Sequence, residues 1–437
     1  MIDRFAPDAA FPRLLLVEAD IISRPLADPG AAVMSELDRV LPRDLQGKRI
    51  AVTAGSRGID RFAEITRAVV RALRERGAQP KIVPAMGNHG GATAEGQAQI
   101  LAELGITEAS VGAPIHPRMD TREVGRTAAG TPVFVAEEAL DADGVVLVNR
   151  IKPHTDFDST KVQSGLLKMV AIGLGRSEGA AACHRAALRL GLEAVLPAVA
   201  RVALSHLNVI AAVGLVEDGR HQIARVEAMP ASEIETREIA LLAEARALMP
   251  ALPFEHIDVL VIDAIGKDIS GAGMDTNIIG RGIDGQPRTN RRATVGAIYV
   301  RGLTPASHGN AIGLGMADVV SSTLVRAMDP EAVFTNALSS MTPVTAKTPM
   351  HFETDRDCLR AAVRLSGADA ATAGIVRIRS TLALDRFLVS ETFADELARR
   401  SDLRVLAGPE PWAFGPDGNL DPDADLLNRS ETVGAAG

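Results

Sequence analysis

Chemistry-bearing residues concentrate between Asn149 and His184. The stretch reads Asn149-Arg150-Ile151-Lys152-Pro153-His154-Thr155-Asp156-Phe157, then Ser164-Gly165-Leu166-Leu167-Lys168-Met169, then Gly173-Leu174-Gly175-Arg176-Ser177-Glu178-Gly179, and ends Cys183-His184. With Arg185 it holds six Lys/Arg (Arg150, Lys152, Lys161, Lys168, Arg176, Arg185) against three acids (Asp156, Asp158, Glu178), in a chain of net charge -8. A local positive balance on an acidic protein suits a pocket for a small anion. Lys168 lies in an apolar run, where an amine loses charge and becomes a nucleophile; the alternative is a lysine whose stem lies on apolar surface with its head in water.

Two further histidine settings matter. His89 sits among Gly87, Gly90 and Gly91 on a loop leaving a strand, and His154 follows the strand that ends near Ile151. In open α/β sheets the ligand crevice lies at the carboxyl ends of strands, so two histidines at such positions are candidates for acid–base work near neutral pH. His116, His206, His221 and His256 have no companion motif. His184 follows Lys168 by sixteen residues. No HExxH or histidine cluster gives a protein-only metal site, so a metal here takes most of its ligands from something else.

Thr53-Ala54-Gly55-Ser56-Arg57-Gly58-Ile59-Asp60 forms a strand-to-helix turn of the kind that cradles phosphate with backbone N–H groups. It is similar to the cofactor turn of short-chain dehydrogenases, but that family also needs a Tyr with a Lys four residues on. The single tyrosine is Tyr299 and position 303 is Leu. The phosphate loop is kept, with Ser56 and Arg57 as cofactor contacts, and the dehydrogenase is set aside.

These side chains require a scaffold. The 437 residues are 46% hydrophobic and 23% charged, enough for two α/β domains with cores of Ala, Val, Ile and Leu, since aromatics are only 3%. Short apolar runs alternate with helical periodicity, which predicts largely parallel sheets. Strands are expected at 14–17, 49–53, 81–84, 144–148, 257–262, 295–300, 333–334 and 375–378. Helices are expected from about 59 to 76, 94 to 104, 179 to 205, 316 to 328 and 355 to 365. The Pro-bearing stretch Met249-Pro250-Ala251-Leu252-Pro253 divides residues 1–252, a cofactor-binding domain, from residues 253–437, a domain that adds substrate contacts and ends in a loosely ordered tail. The active site is expected in the cleft between them. The acidic balance excludes a dedicated nucleic-acid binder. Cys183 and Cys358 make no disulfide framework, which fits a cytoplasmic protein. Neither a signal sequence nor a membrane span is legible.

Together, Ser56-Arg57, Gly87-Asn88-His89, His154, Lys168 and His184 resemble the lactate racemase family in order and spacing. The resemblance implies a nickel-pincer nucleotide (pyridinium-3,5-bisthiocarboxylic acid mononucleotide nickel) joined covalently to Lys168, with His184 ligating the nickel. It implies that a 2-hydroxy acid gives its Cα hydride to the cofactor ring and takes it back on the other face, with His89 and His154 each serving one enantiomer. It also implies transient contact with cofactor-synthesis proteins, and is compatible with a homo-oligomer. Departures bear on the substrate. The family commonly has an acid just before the Thr/Ser-Arg pair, whereas Ala54 stands nearby here. The Tyr-Gln pair and Lys of the lactate enzymes are replaced by Met274-Asp275-Thr276-Asn277-Ile278-Ile279-Gly280-Arg281. Asn277 and Arg281 become the candidate substrate contacts, Arg281 as a bidentate carboxylate clamp. The expected activity is racemisation or epimerisation of a 2-hydroxy acid other than lactate. A cofactor carrier without turnover and a nicotinamide-dependent oxidoreductase are the alternatives.

Overall fold

The computed structural model describes residues 2–6, 10–56, 58–288 and 293–429. The chain divides into two compact units, one of residues 22–249 and one of residues 1–21 with 250–437. The expected division at 252/253 is therefore corrected at the N-terminus. β1 (Leu14–Ala19) leaves the first domain and pairs in the sheet of the second. Its run of apolar residues needs cover on both faces, and only an interior place in a sheet supplies that.

The unit of residues 22–249 contains β2 (Arg49–Ala54), β3 (Gln79–Pro84), β4 (Thr121–Arg126), β5 (Pro132–Ala136), β6 (Gly144–Arg150), β7 (Val209–Glu217) and β8 (Ile223–Met229). β4 and β5 form an antiparallel ribbon. The others make one sheet in the order β3-β2-β6-β7-β8, parallel except for β8. Alternate residues of the central strands serve two cores. Ala51, Val83, Val145 and Leu147 face one layer; Ile50, Val52, Ile82, Val146 and Val148 face the other. The helix Phe62–Arg74 covers the second layer with Phe62, Ile65, Val69 and Leu73, the spacing that puts side chains on one helical face.

The other unit adds β9 (His256–Ile262), β10 (Thr294–Val300), β11 (Val319–Ser321), β12 (Met350–Phe352), β13 (Ile375–Ile378), β14 (Arg386–Ser390) and β15 (Leu403–Glu410). With β1 they form one sheet ordered β12-β11-β10-β9-β13-β14-β1-β15. The first five strands are mutually parallel, and the last three continue the sheet through antiparallel pairings. The expectation of α/β units with largely parallel sheets holds for each.

Several local expectations are corrected. The strand expected at Val333-Phe334 lies within the helix Pro330–Ser340, which Asp329 caps and Pro330 starts. The helix expected from Met316 to Met328 is instead β11 followed by the helix Ser322–Ala327, capped by the Ser321 side chain on Leu324 N. The helix expected from Gly179 to Ser205 is two helices, Arg176–Leu190 and Leu192–Leu204, parted by Gly191 at φ +76°, a conformation that glycine adopts without cost. The tail is not loose where it is described: Leu420, Leu426 and Leu427 join the core of the second unit. Residues 430–437, on which the rest of that expectation falls, lie outside the described residues.

Candidate active site

The carboxyl ends of β2, β3 and β6 lead into the loops that carry Ser56, His89 and His154. All three loops meet one short segment. The helix Leu166–Lys168 passes directly into a π-helical turn, Met169–Gly173, closed by Leu174 N–H donating to Met169 C=O at 2.8 Å. Such turns occur mostly at functional sites. The segment is tied to each strand end. Thr53 Oγ1 lies 3.0 Å from Met169 Sδ and accepts from Val148 N–H at 3.0 Å. Gly87 N–H donates to Gly173 C=O at 3.1 Å. Asn149 Nδ2 donates to Gly165 C=O at 2.7 Å. A Cβ on Gly173 would fall 2.5 Å from Ala85 C=O, so only glycine lets the π-turn close against the end of β3.

Two pairs of predicted residues are brought into contact. Ser56 Oγ hydrogen-bonds His89 Nδ1. Lys168 Nζ hydrogen-bonds His154 Nε2. His154 is buried and fixed on three further sides. Its backbone N–H donates to Gln163 Oε1, its Nδ1 accepts from Asp156 N–H at 3.0 Å, and its ring lies 5.0 Å from that of Phe157. His184, on the helix Arg176–Leu190, lies in the electrostatic field of Lys168 and Asp156. Burial pushes its imidazolium below the ordinary histidine range against the pull of Asp156. That favours the neutral ring, the form that ligates metal. Burial raises the Asp156 carboxyl, but the nearness of His154 and Lys168 and the hydrogen bond from the Thr155 hydroxyl outweigh it, so the group stays below the usual carboxylate range. Asp156 is the acid shared by these three residues.

Arg57 lies outside the described residues. Asn277 and Arg281 belong to the other unit. Asn277 Nδ2 donates to Asp275 Oδ1 at 2.7 Å, while Arg281 Nη1 donates to Asp318 Oδ2 at 2.7 Å and to Met316 C=O at 3.0 Å. Asp318 thus engages Nη1 of the guanidinium foreseen as a carboxylate clamp. The expected positive balance is also smaller than its count, because Arg150 pairs with Glu217 and Arg176 with Glu138.

Sequence reasoning missed the layer behind the site. Arg176 is fully buried, holds φ +54°, and donates to Gln97 Oε1 at 2.6 Å and to Glu138 Oε1 at 3.2 Å. Gln97, also fully buried, donates from Nε2 to Gly87 C=O at 2.8 Å and to His89 C=O at 3.3 Å. A chain of buried polar groups thereby holds the His89 loop. Behind Lys168, the Glu238 carboxylate accepts from Leu167 N–H at 3.0 Å, and a Cβ on Gly165 would come 2.5 Å from Glu238 Oε1. The signal available for Arg176 was its place in a Gly-rich run; Glu238 gave none, since it sits in an ordinary helical stretch (Ile234–Leu248).

Among the described residues no group of three or more His, Cys, Asp or Glu could hold a metal ion, and no helix is long and apolar enough to cross a membrane. The family description "Lactate racemase N-terminal domain" matches residues 21–194. No match is found among curated proteins. Similar solved structures include a protein from Thermotoga maritima, 16% identical with TM-score 0.44, over 65% of this chain and 71% of that one. They also include the lactate racemase apoprotein from Thermoanaerobacterium thermosaccharolyticum, 14% identical with TM-score 0.44, over 80% of this chain and 82% of that one. The matched residues 21–194 contain Ser56, His89, His154, Lys168 and His184, and over this stretch the chain is similar to the lactate racemase N-terminal domain.

Proposed function

We propose that the chain is a racemase or epimerase of a 2-hydroxy acid other than lactate, dependent on a nickel-pincer nucleotide. The observation that carries this reading is the convergence of His154, Lys168 and His184. The first two are hydrogen-bonded and the third lies in the field of the second. The residues fit such a group chemically. Lys168 offers an amine for covalent attachment, and His184 offers a neutral imidazole as one nickel ligand, the others coming from the cofactor. When bound, the cofactor supplies a ring that accepts and returns the substrate hydride.

The chain's own side chains handle the proton. A base at His89 Nε2 requires the ring hydrogen on Nδ1, and Ser56 Oγ is placed to accept it. Asp156 is placed to offset the positive charge that His154 gains when it takes up a proton. The substrate is a small anion, and the protein works in the cytoplasm, where cofactor-synthesis proteins load it.

The test is expression beside cofactor-synthesis enzymes, followed by intact mass and nickel analysis. The native chain should carry a cofactor adduct and nickel. Lys168→Ala should lose the adduct; His184→Ala should lose nickel while keeping its circular dichroism spectrum. An adduct that survives in Lys168→Ala, or undiminished nickel in His184→Ala, overturns the assignment.

A further inference from the structure

We propose that His154 primes Lys168 for attachment by holding it as an uncharged amine at neutral pH, its own ring proton being fixed on Nε2 by the Asp156 backbone. This deepens the reading above and rests on it for the identity of what Lys168 receives. The argument is one of donors and acceptors. Asp156 N–H points at His154 Nδ1 from 3.0 Å. A backbone N–H can only donate, so Nδ1 must present its lone pair and the ring carries its hydrogen on Nε2. Nε2 is the atom that meets Lys168 Nζ. A contact between Nε2–H and Nζ is a hydrogen bond only if Nζ accepts, and an ammonium has no lone pair to accept with.

The alternatives fail on the same count. An ammonium at Lys168 donating to Nε2 moves the ring hydrogen to Nδ1, where it confronts Asp156 N–H. A doubly protonated His154 does the same. The His154 ring is 9% exposed, so water has little room to separate two opposed donors. The charged groups around Lys168 act in both directions. The Asp156 carboxylate favours the ammonium, and its nearest partner is the Thr155 hydroxyl at 2.8 Å. His184 and Lys168 each disfavour charge on the other. A lysine in this state presents the free lone pair that a nucleophile needs. His154 thus acts before turnover, on the residue that receives the cofactor.

The seven lysines of the chain make this measurable. The full-length protein, made without cofactor-synthesis enzymes and labelled with 13C at lysine Cε, is observed by NMR, with Lys168→Arg identifying the Lys168 signal. At pH 7 that signal should lie at the neutral-amine position, away from the ammonium position of a free lysine side chain in water. In His154→Ala the Lys168 signal should move to the ammonium position. In Asp156→Asn, which keeps the backbone N–H, it should stay neutral. A Lys168 signal at the ammonium position in the native chain overturns the proposal. So does a neutral signal that persists in His154→Ala, because another group then sets the state. The spectrum is independent of cofactor loading, so absence of a nickel adduct with a neutral Lys168 would remove the functional reading and leave this one standing.

Discussion

Glu238 should make the segment that carries Lys168 sensitive to pH, and the size of the effect can be worked out. Its side chain is fully buried, one oxygen accepts Leu167 N–H, and the other has no hydrogen-bond partner. Burial pushes its carboxyl from an ordinary 4.5 up to about 7, against the pull of the Leu167 and Leu166 backbone. A folded-state pKa raised above the unfolded one means that the folded protein prefers the neutral acid. Its contribution to stability is complete below pH 4.5 and is lost as the pH rises through 7. At about 1.4 kcal/mol per pH unit over the interval from 4.5 to 7, the loss is about 3 kcal/mol. Glu238→Gln cannot ionise. Its amide places a donor where the unpartnered oxygen lies, which adds a cost of about 1–3 kcal/mol that does not vary with pH. The assay is urea denaturation of both proteins between pH 4 and pH 8.5. The stability of Glu238→Gln relative to the native chain should rise by about 3 kcal/mol across that range, with most of the change between pH 5 and pH 7. Other titrating groups cancel in the difference. Two stability–pH curves that run parallel, whatever their offset, would refute the reasoning.

Arg176→Met should destabilise the fold by about 3–5 kcal/mol, because Glu138 is left buried and unpaired, whereas Arg176→Met with Glu138→Leu should recover most of that loss; equal denaturation midpoints for the single and double variants would contradict the pairing. That double variant still removes the partner of Gln97, so once loaded it should lose turnover more than it loses stability. Compared per bound cofactor, His89→Ala and His154→Ala should each depress racemisation in both directions by about 10²–10⁴-fold, yet the loaded fraction of each should retain cofactor reduction with a different enantiomer. Rapid mixing with each pure enantiomer checks this, and loss with the same enantiomer in both variants would show that the histidines do not divide the work. Cys183 and Cys358 are buried, each thiol pushed up to about 12 by burial, so neither should react with a thiol reagent at pH 8 until the chain is unfolded.

The sequence by itself determined the repetitive parts of this protein. Apolar runs such as Gly144–Val148 and Ile257–Ile262 announce strands buried on both faces, and the periodicity of Phe62–Leu73 announces a helix, because burial of alternate or every third to fourth side chain is written in local order. The histidine, lysine and serine positions were legible for a related reason: loops at strand ends carry chemistry, and their spacing resembles that of a family whose N-terminal domain is similar to residues 21–194. Where local pattern was short or ambiguous, tertiary structure decided. β1 reads the same in either domain, and only its hydrogen bonds to β14 and β15 assign it. Val333-Phe334 reads as a strand until the Asp329–Pro330 start makes it helix. Arg281 looked available for a substrate until Asp318 met it. The long-range polar contacts were illegible altogether. Gln97 reaches a carbonyl ten residues back and an arginine 79 residues on, and Glu238 reaches the backbone of a residue 71 positions earlier. Such pairings are set by where the chain returns in space, and no local pattern of residues encodes that return.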